Sequence, residues 1–328
     1  MRFLLDDEQR EFARSLDALL TAADTPAAVR AWAAGDHGPG LALWRRLAEA
    51  GVFGLAVPEA YGGAGPLPVE TAVACVELGR HAVAGPVAES VAAGVLLGGV
   101  GGPAAKEWLP RIVSGTAVVS LVLEGYGPYA LDGDAADAVF TVTGDELRLA
   151  PGPGATPPSM DPARRRSRPV AGGEVLAAGA GVGEAARAAG DWAAFATAAQ
   201  ALGCGEALLR STVAYVKQRT QFGVPVGSFQ AVKHRLADTL LGLEFARPLL
   251  YGAAVELAEG APGAGAAVAA AKVAAGEAGY AAARTALQLH GAVGYTEELD
   301  LAWWLRRARP LRDAWGTPSE CRARVLAG

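Results

Sequence analysis

The sequence RTQFGVPVGSFQAVKHRLAD, residues 219–238, decides how the chain is organised. Its turn-forming Gly223, Pro225 and Gly227 predict a short connection between two helices. Ser228 stands one residue before an apolar series, so we expect it to be the N-cap of the second helix. The three- and four-residue spacing of that series predicts one buried helix face, made of Phe229, Val232, Leu236, Leu240 and Leu243.

The residues just before this connection favour an anionic ligand. Arg219, Thr220 and Gln221 place a guanidinium, a hydroxyl and an amide beside exposed backbone N–H groups, a set that suits a phosphate. Taken alone, the pattern fits a plain helical hairpin with a polar turn equally well. In a second stretch, residues 287–317, Gly291 and Gly294 bracket a turn where backbone N–H groups can approach a pyrophosphate.

The composition narrows the class of protein. The chain has 328 residues, 52% hydrophobic and 19% charged, which indicates about two domains with much buried helix. Its net charge of −5 disfavours nucleic-acid and anionic-membrane partners. The few cysteines and histidines are scattered, which predicts a reducing compartment, no disulfide framework and no metal site: Cys75, Cys204, Cys321, His37, His81, His234 and His290.

The order of patterns predicts a mainly α protein with a small β-domain. Residues 1–118 indicate an N-terminal helical domain, residues 119–182 a reduced middle β-domain, and residues 183–328 a C-terminal four-helix bundle. Within the middle region, strands over 138–142 and 146–150 flank a Gly144-Asp145 hairpin turn. An acidic start and a charged, alanine-rich run at 261–289 favour a cytoplasmic protein without a membrane span.

These stretches together resemble the acyl-CoA dehydrogenase family. The resemblance rests on WRRLAEAGVFGLAVPEAYGGAG in the first domain, DPARRRSRPV at the end of the middle domain, and RTQFGVPVGSFQAVKHRLAD and LQLHGAVGYTEE in the bundle. It implies FAD as cofactor, bound between the β-domain and the bundle and shared across a subunit interface. Carried over to this chain, it implies FAD contacts from Arg219, Gln221, Phe222, Gln288 and Gly291, with Thr317 near the adenosine.

The family chemistry is α,β-dehydrogenation of an acyl thioester. A glutamate removes the α-proton, and the flavin accepts hydride from the β-carbon. This chain departs from that pattern because Trp315 occupies the usual position of the glutamate. Some relatives place the base on the first bundle helix, which here corresponds to the region of Ala193. The nearest carboxylate is Asp191, a weak candidate base that fits a surface or capping role better.

The middle region also departs from the family pattern. It lacks the family's flavin-contacting loop and strand, and the residues between Leu123 and Asp161 are too few for a full β-barrel. The basic run that follows fits a solvated edge strand, or more weakly an anion contact: Arg164, Arg165, Arg166 and Arg168.

Four functions stay open on this evidence. The first is a subunit that supplies FAD contacts to a full-length homologue in a hetero-oligomer. The second is a stand-alone homo-oligomer with altered, non-redox chemistry on an acyl thioester or related molecule, such as elimination or cyclisation. The third is an ordinary dehydrogenase that uses Asp191, and the fourth is a non-enzymatic scaffold.

Overall fold

The computed structural model describes residues 4–328, and its first part is helical as predicted. Asp6 caps the first helix in a reciprocal capping box with Gln9. The second helix was not predicted; it begins after Asp24, a left-handed N-cap. The helices of this part are α1 (Asp7–Thr21), α2 (Thr25–Ala33), α3 (Gly38–Glu49), α4 (Pro68–Arg80), α5 (Val87–Val100) and α6 (Gly102–Val113).

The middle of the chain forms a four-stranded sheet and a short strand pair. The strands are β1 (Val119–Leu123), β2 (Ala130–Leu131), β3 (Ala138–Thr143), β4 (Glu146–Leu149), β5 (Arg166–Ser167) and β6 (Glu174–Ala178). The sheet order is β1-β3-β4-β6, with β1 and β3 parallel and the remaining neighbours antiparallel. The predicted hairpin at Gly144-Asp145 is confirmed as β3–β4. Strands β2 and β5 pair separately.

The last part is a helical bundle. Its helices are α7 (Ala180–Gln218), α8 (Gln230–Glu259), α9 (Ala264–His290), α10 (Leu301–Asp313) and α11 (Pro318–Ala327). Helix α9 covers most of the alanine-rich run at 261–289. Helix α7 also packs on α4, where a Cβ at Gly79 would lie 2.2 Å from the Gln200 carbonyl oxygen. This close approach joins the bundle to the first domain through one long helix.

Two predictions about the start of α8 are wrong. The N-cap residue is Phe229, while Ser228 ends a short 3₁₀ turn and its Oγ donates to the Pro225 carbonyl at 2.7 Å. The predicted apolar face is not buried: Leu243 is 1% exposed, but Phe229 is 39% and Leu240 47% exposed. Helix α8 lies on the outside of the bundle, so in a single chain its covered face is the one toward α9, α7 and α4.

Across residues 4–328, no helix combines the length and the apolar character needed to cross a membrane.

Candidate functional site

The Arg219 stretch forms a tight hairpin instead of an irregular loop. Strands β7 (Thr220–Gln221) and β8 (Val224–Pro225) are antiparallel, and Phe222-Gly223 is the two-residue turn between them. Both turn residues have positive φ, 54° and 82°, as a type I′ turn requires. A bulky residue with positive φ is strained, and Phe222 is also 92% exposed. Such a strained aromatic residue is typical of a functional contact.

The structure brings Gly291, another predicted FAD contact, to the end of the bundle that carries this hairpin. Tyr215, one turn before Arg219, stacks on His290 with ring centroids 4.2 Å apart. Gly291 follows at once and has a φ of 64°. Burial lowers the pKa of His290, so its imidazole is neutral at neutral pH.

Gln288 reaches the same end of the bundle through a partner that the sequence analysis missed. The Arg235 guanidinium on α8 donates to Gln288 Oε1 on α9. Arg235 lies within the motif that opened the sequence analysis, but its spacing from Arg219 gave no sign of a role. Arg219, Gln221, Phe222, Gln288 and Gly291 therefore lie at one end of the bundle, which we call the hairpin end.

Trp315, Thr317 and Asp191 lie elsewhere. Trp315 is 9% exposed, and its indole Nε1 donates to Glu89 Oε1 at 2.9 Å. Thr317 caps α11 in a capping box with Glu320. Asp191 forms an ion pair with Arg324 of α11, which gives it a structural role. We call this region the Trp315 end.

The two ends are far apart within one chain. Asp191 is in the first third of α7, and Arg219 directly follows its last residue. At about 1.5 Å of rise per residue, the intervening helix is about 40 Å long. One small part of a ligand therefore cannot contact both Asp191 and Arg219 of the same chain.

A cavity of about 380 Å³ lies at the Trp315 end, between the middle region and the end of α10. Glu89, Tyr126, Arg164, Arg309 and Trp315 contribute to its wall. Glu89 is 4% exposed, and its second oxygen, Oε2, has no hydrogen-bond partner among the described residues. A second cavity, of about 330 Å³, shares Tyr126 and Trp315 with the lining of the first.

Buried polar contacts hold the middle region in place around the first cavity. Asp132 accepts from Trp32 Nε1 at 3.2 Å and from the Arg165 backbone at 2.9 Å, and burial raises its pKa to about 7. Asp161 pairs with Arg307 of α10 at 2.8 Å, where both side chains are buried. These contacts tie the middle region to α2 and to the bundle.

The basic run does not behave as one solvated edge. Only Arg166 lies in a strand, and its guanidinium sits 5.0 Å from the Tyr129 ring centroid. Arg164 is half-buried on the cavity wall, and Arg165 pairs with Asp134. Arg168 is exposed.

One cluster brings together carboxylate and imidazole side chains, which can be metal ligands, from positions far apart in the sequence. Asp17, Glu77 and His81 carry ligand atoms within 4.8 Å of one another. His81 Nε2 lies 2.8 Å from Asp17 Oδ1, while Arg80 neutralises Glu77 and also pairs with Glu206 of α7. These contacts form an ion-pair network that joins α1, α4 and α7.

Comparison with known proteins matches both helical parts. The model of the acyl-CoA dehydrogenase N-terminal domain matches residues 6–116, and that of the C-terminal domain matches residues 180–327. The acyl-CoA dehydrogenase IpdE2 of Mycobacterium tuberculosis is 37% identical over 325 residues, covering 97% of this chain and 96% of its own.

Solved structures agree with these matches. The ChsE4-ChsE5 complex from Mycobacterium tuberculosis superposes with a TM-score of 0.80 at 26% identity, covering 100% of this chain and 98% of that chain. Butyryl-CoA dehydrogenase from Megasphaera elsdenii gives 0.84 at 25% identity, covering 100% and 99%. The chain belongs to the acyl-CoA dehydrogenase family.

Proposed function

We propose that this chain is a subunit of a heteromeric, FAD-dependent acyl-CoA dehydrogenase. In this assembly its hairpin end contacts the FAD of a full-length homologous partner, and the partner supplies the base. The observation that carries the proposal is the separation of about 40 Å between the hairpin end and the Trp315 end of one chain. A FAD contacted by Arg219 must therefore react in a pocket that another chain provides.

The residues at the hairpin end fit a pyrophosphate. Arg219 is exposed and offers a guanidinium, and the positive φ values of Phe222 and Gly291 turn backbone toward solvent. The exposed Phe222 ring can cover a flat, uncharged part of the cofactor. When bound, FAD supplies the hydride acceptor for oxidation of the acyl thioester.

The Trp315 end argues against dehydrogenation by this chain alone. An indole N–H is a donor and cannot take the α-proton. Asp191 is held by Arg324, and Glu89 accepts from the Trp315 indole through Oε1, while its Oε2 has no partner among the described residues. Neither carboxylate stands at the usual base position, so we assign proton removal to the partner.

A surface for the partner is available on α8. Leu240, Leu241, Phe245 and Leu249 are 47%, 53%, 71% and 46% exposed on the outer side of the bundle. Contiguous exposed apolar side chains of this kind mark protein interaction surfaces. The ChsE4-ChsE5 structure is itself a complex of family members, which supports a heteromeric assembly here.

The test is the flavin affinity of the chain co-expressed with a full-length homologue from the same organism. R219A should weaken FAD binding about 10- to 100-fold, because a hydrogen bond to a charged group contributes about 1.5–3 kcal/mol. R187A is the matched control, since Arg187 is an exposed arginine at the opposite end of α7, and it should leave the affinity unchanged.

Two results would contradict the proposal. One is stoichiometric FAD and acyl-CoA oxidation by the purified chain alone. The other is a flavin-free chain that converts a thioester alone, which would favour the non-redox alternative. A matching relative, the 3-sulfinopropanoyl-CoA desulfinase of Paraburkholderia xenovorans, is 41% identical over 125 residues and covers 38% of this chain, so that outcome is worth testing directly.

A further inference from the structure

Trp315 lines two cavities of similar size. The first, of about 380 Å³, is lined by Glu89, Arg164 and the end of α10, and the second, of about 330 Å³, by Cys321 and Arg324 of α11. Trp315 and Tyr126 line both cavities, and their ring centroids lie 5.3 Å apart. The two rings therefore form a shared wall.

The wall is held by specific contacts. The Trp315 indole donates to the buried carboxylate of Glu89 on α5, so the ring is anchored to the first domain. Its backbone has a φ of 55°, which is strained for a tryptophan and fixes the direction of the side chain. A Cβ at Gly190 would lie 2.8 Å from the Tyr126 hydroxyl, so the Tyr126 ring packs closely on α7, although 41% of this residue is exposed.

We propose that Trp315, anchored by Glu89 and backed by Tyr126, is a latch that divides this chain's own cavity and excludes an extended acyl chain. This inference rests on the proposed function, because it explains why the chain that supplies the hairpin end has no working substrate pocket. With Trp315 and Tyr126 in place, an extended acyl chain cannot run from one cavity into the other. Joining the halves would create one continuous pocket.

The role of Glu89 in the latch is to position the indole. A glutamine at this position keeps an oxygen that accepts from the indole, whereas an alanine leaves the N–H without a partner. We therefore expect E89Q to keep the latch closed and E89A to open it. A merely structural role of Glu89 would make both variants equivalent in ligand binding.

The experiment measures binding of octanoyl-CoA to the full chain by isothermal titration calorimetry. W315A should bind at least about 10-fold more tightly than the wild type, because truncation removes the wall and exposes apolar surface to the acyl chain. W315L should show the same gain with a smaller loss of stability, so the test stands if W315A fails to fold. W304F is the matched control, because Trp304 also donates one 2.9 Å hydrogen bond but lines neither cavity.

The inference is overturned if folded W315L binds octanoyl-CoA no more tightly than the wild type, or if E89A and E89Q bind it equally. All these variants keep Arg219 and the hairpin end intact. If W315L does not bind octanoyl-CoA more tightly but R219A weakens FAD binding, the latch is refuted and the proposed function stands. If W315L binds more tightly but R219A leaves FAD binding unchanged, only the proposed function is refuted.

Discussion

The buried ion pair between Arg307 and Asp161 gives the sharpest stability prediction. Arg307 Nε lies 2.8 Å from Asp161 Oδ2, and its Nη1 donates to the carbonyls of Ala82 and Val83 at 2.8 and 2.6 Å. The side chains of Arg307 and Asp161 are 5% and 0% exposed. One side chain of α10 thus holds the middle region and the turn after α4 together.

Replacing Arg307 by methionine keeps most of the volume but leaves the Asp161 carboxylate buried without its cation. Breaking a buried pair in this way costs about 3–5 kcal/mol of unfolding free energy. In a double-mutant cycle, R307M and D161N should couple by at least about 1.5 kcal/mol, since the second change removes the charge that the first one strands.

Urea unfolding of the purified full chain, followed by circular dichroism, measures these free energies. R30M is the matched control, because the Arg30–Asp300 pair also joins the first domain to the bundle but its side chains are 58% and 51% exposed. It should cost less than about 1 kcal/mol. The reasoning is refuted if R307M costs no more than R30M, or if R307M and D161N are additive.

Three further predictions concern charge and surface. Burial raises the pKa of Asp132 to about 7, so this residue stabilises the fold fully below about pH 4 and loses that contribution as the pH rises to 7. In urea unfolding at pH 4 and 8, the free energy of unfolding of the wild type should therefore fall by an amount on the order of 2–4 kcal/mol, and D132N should remove this fall. Parallel profiles of variant and wild type would contradict this. Burial lowers the pKa of Lys272 to about 8, so above pH 8 the folded state binds fewer protons than the unfolded state. The free energy of unfolding should therefore gain about 3 kcal/mol from this residue as the pH rises toward 10. The difference in unfolding free energy between wild type and K272M should follow that rise, and a constant difference would exclude it. F245D should weaken association with the full-length partner at least about 10-fold in size-exclusion and titration experiments. L326D, at another exposed apolar residue, should leave this association unchanged. Equal effects of the two variants would remove α8 from the interface.

Local signals in the sequence determined most of the helices and the β3–β4 hairpin. The alanine-rich run at 261–289 lies almost wholly in α9, which ends before Gly291, and the hairpin followed from Gly144-Asp145 between apolar stretches. The family and the five residues of the hairpin end could likewise be identified, since the motifs that carry them are short and contiguous.

The tertiary structure alone decided which residues share a site. The sequence predicts that Trp315 stands at the usual base position, but its hydrogen bond to Glu89 joins residues 226 positions apart, and no local pattern encodes such a contact. The sequence also predicted a buried face on α8, because spacing reports that a face is apolar and not what covers it. Only packing showed that this face is exposed in one chain, and that a rigid helix separates the hairpin end from the Trp315 end.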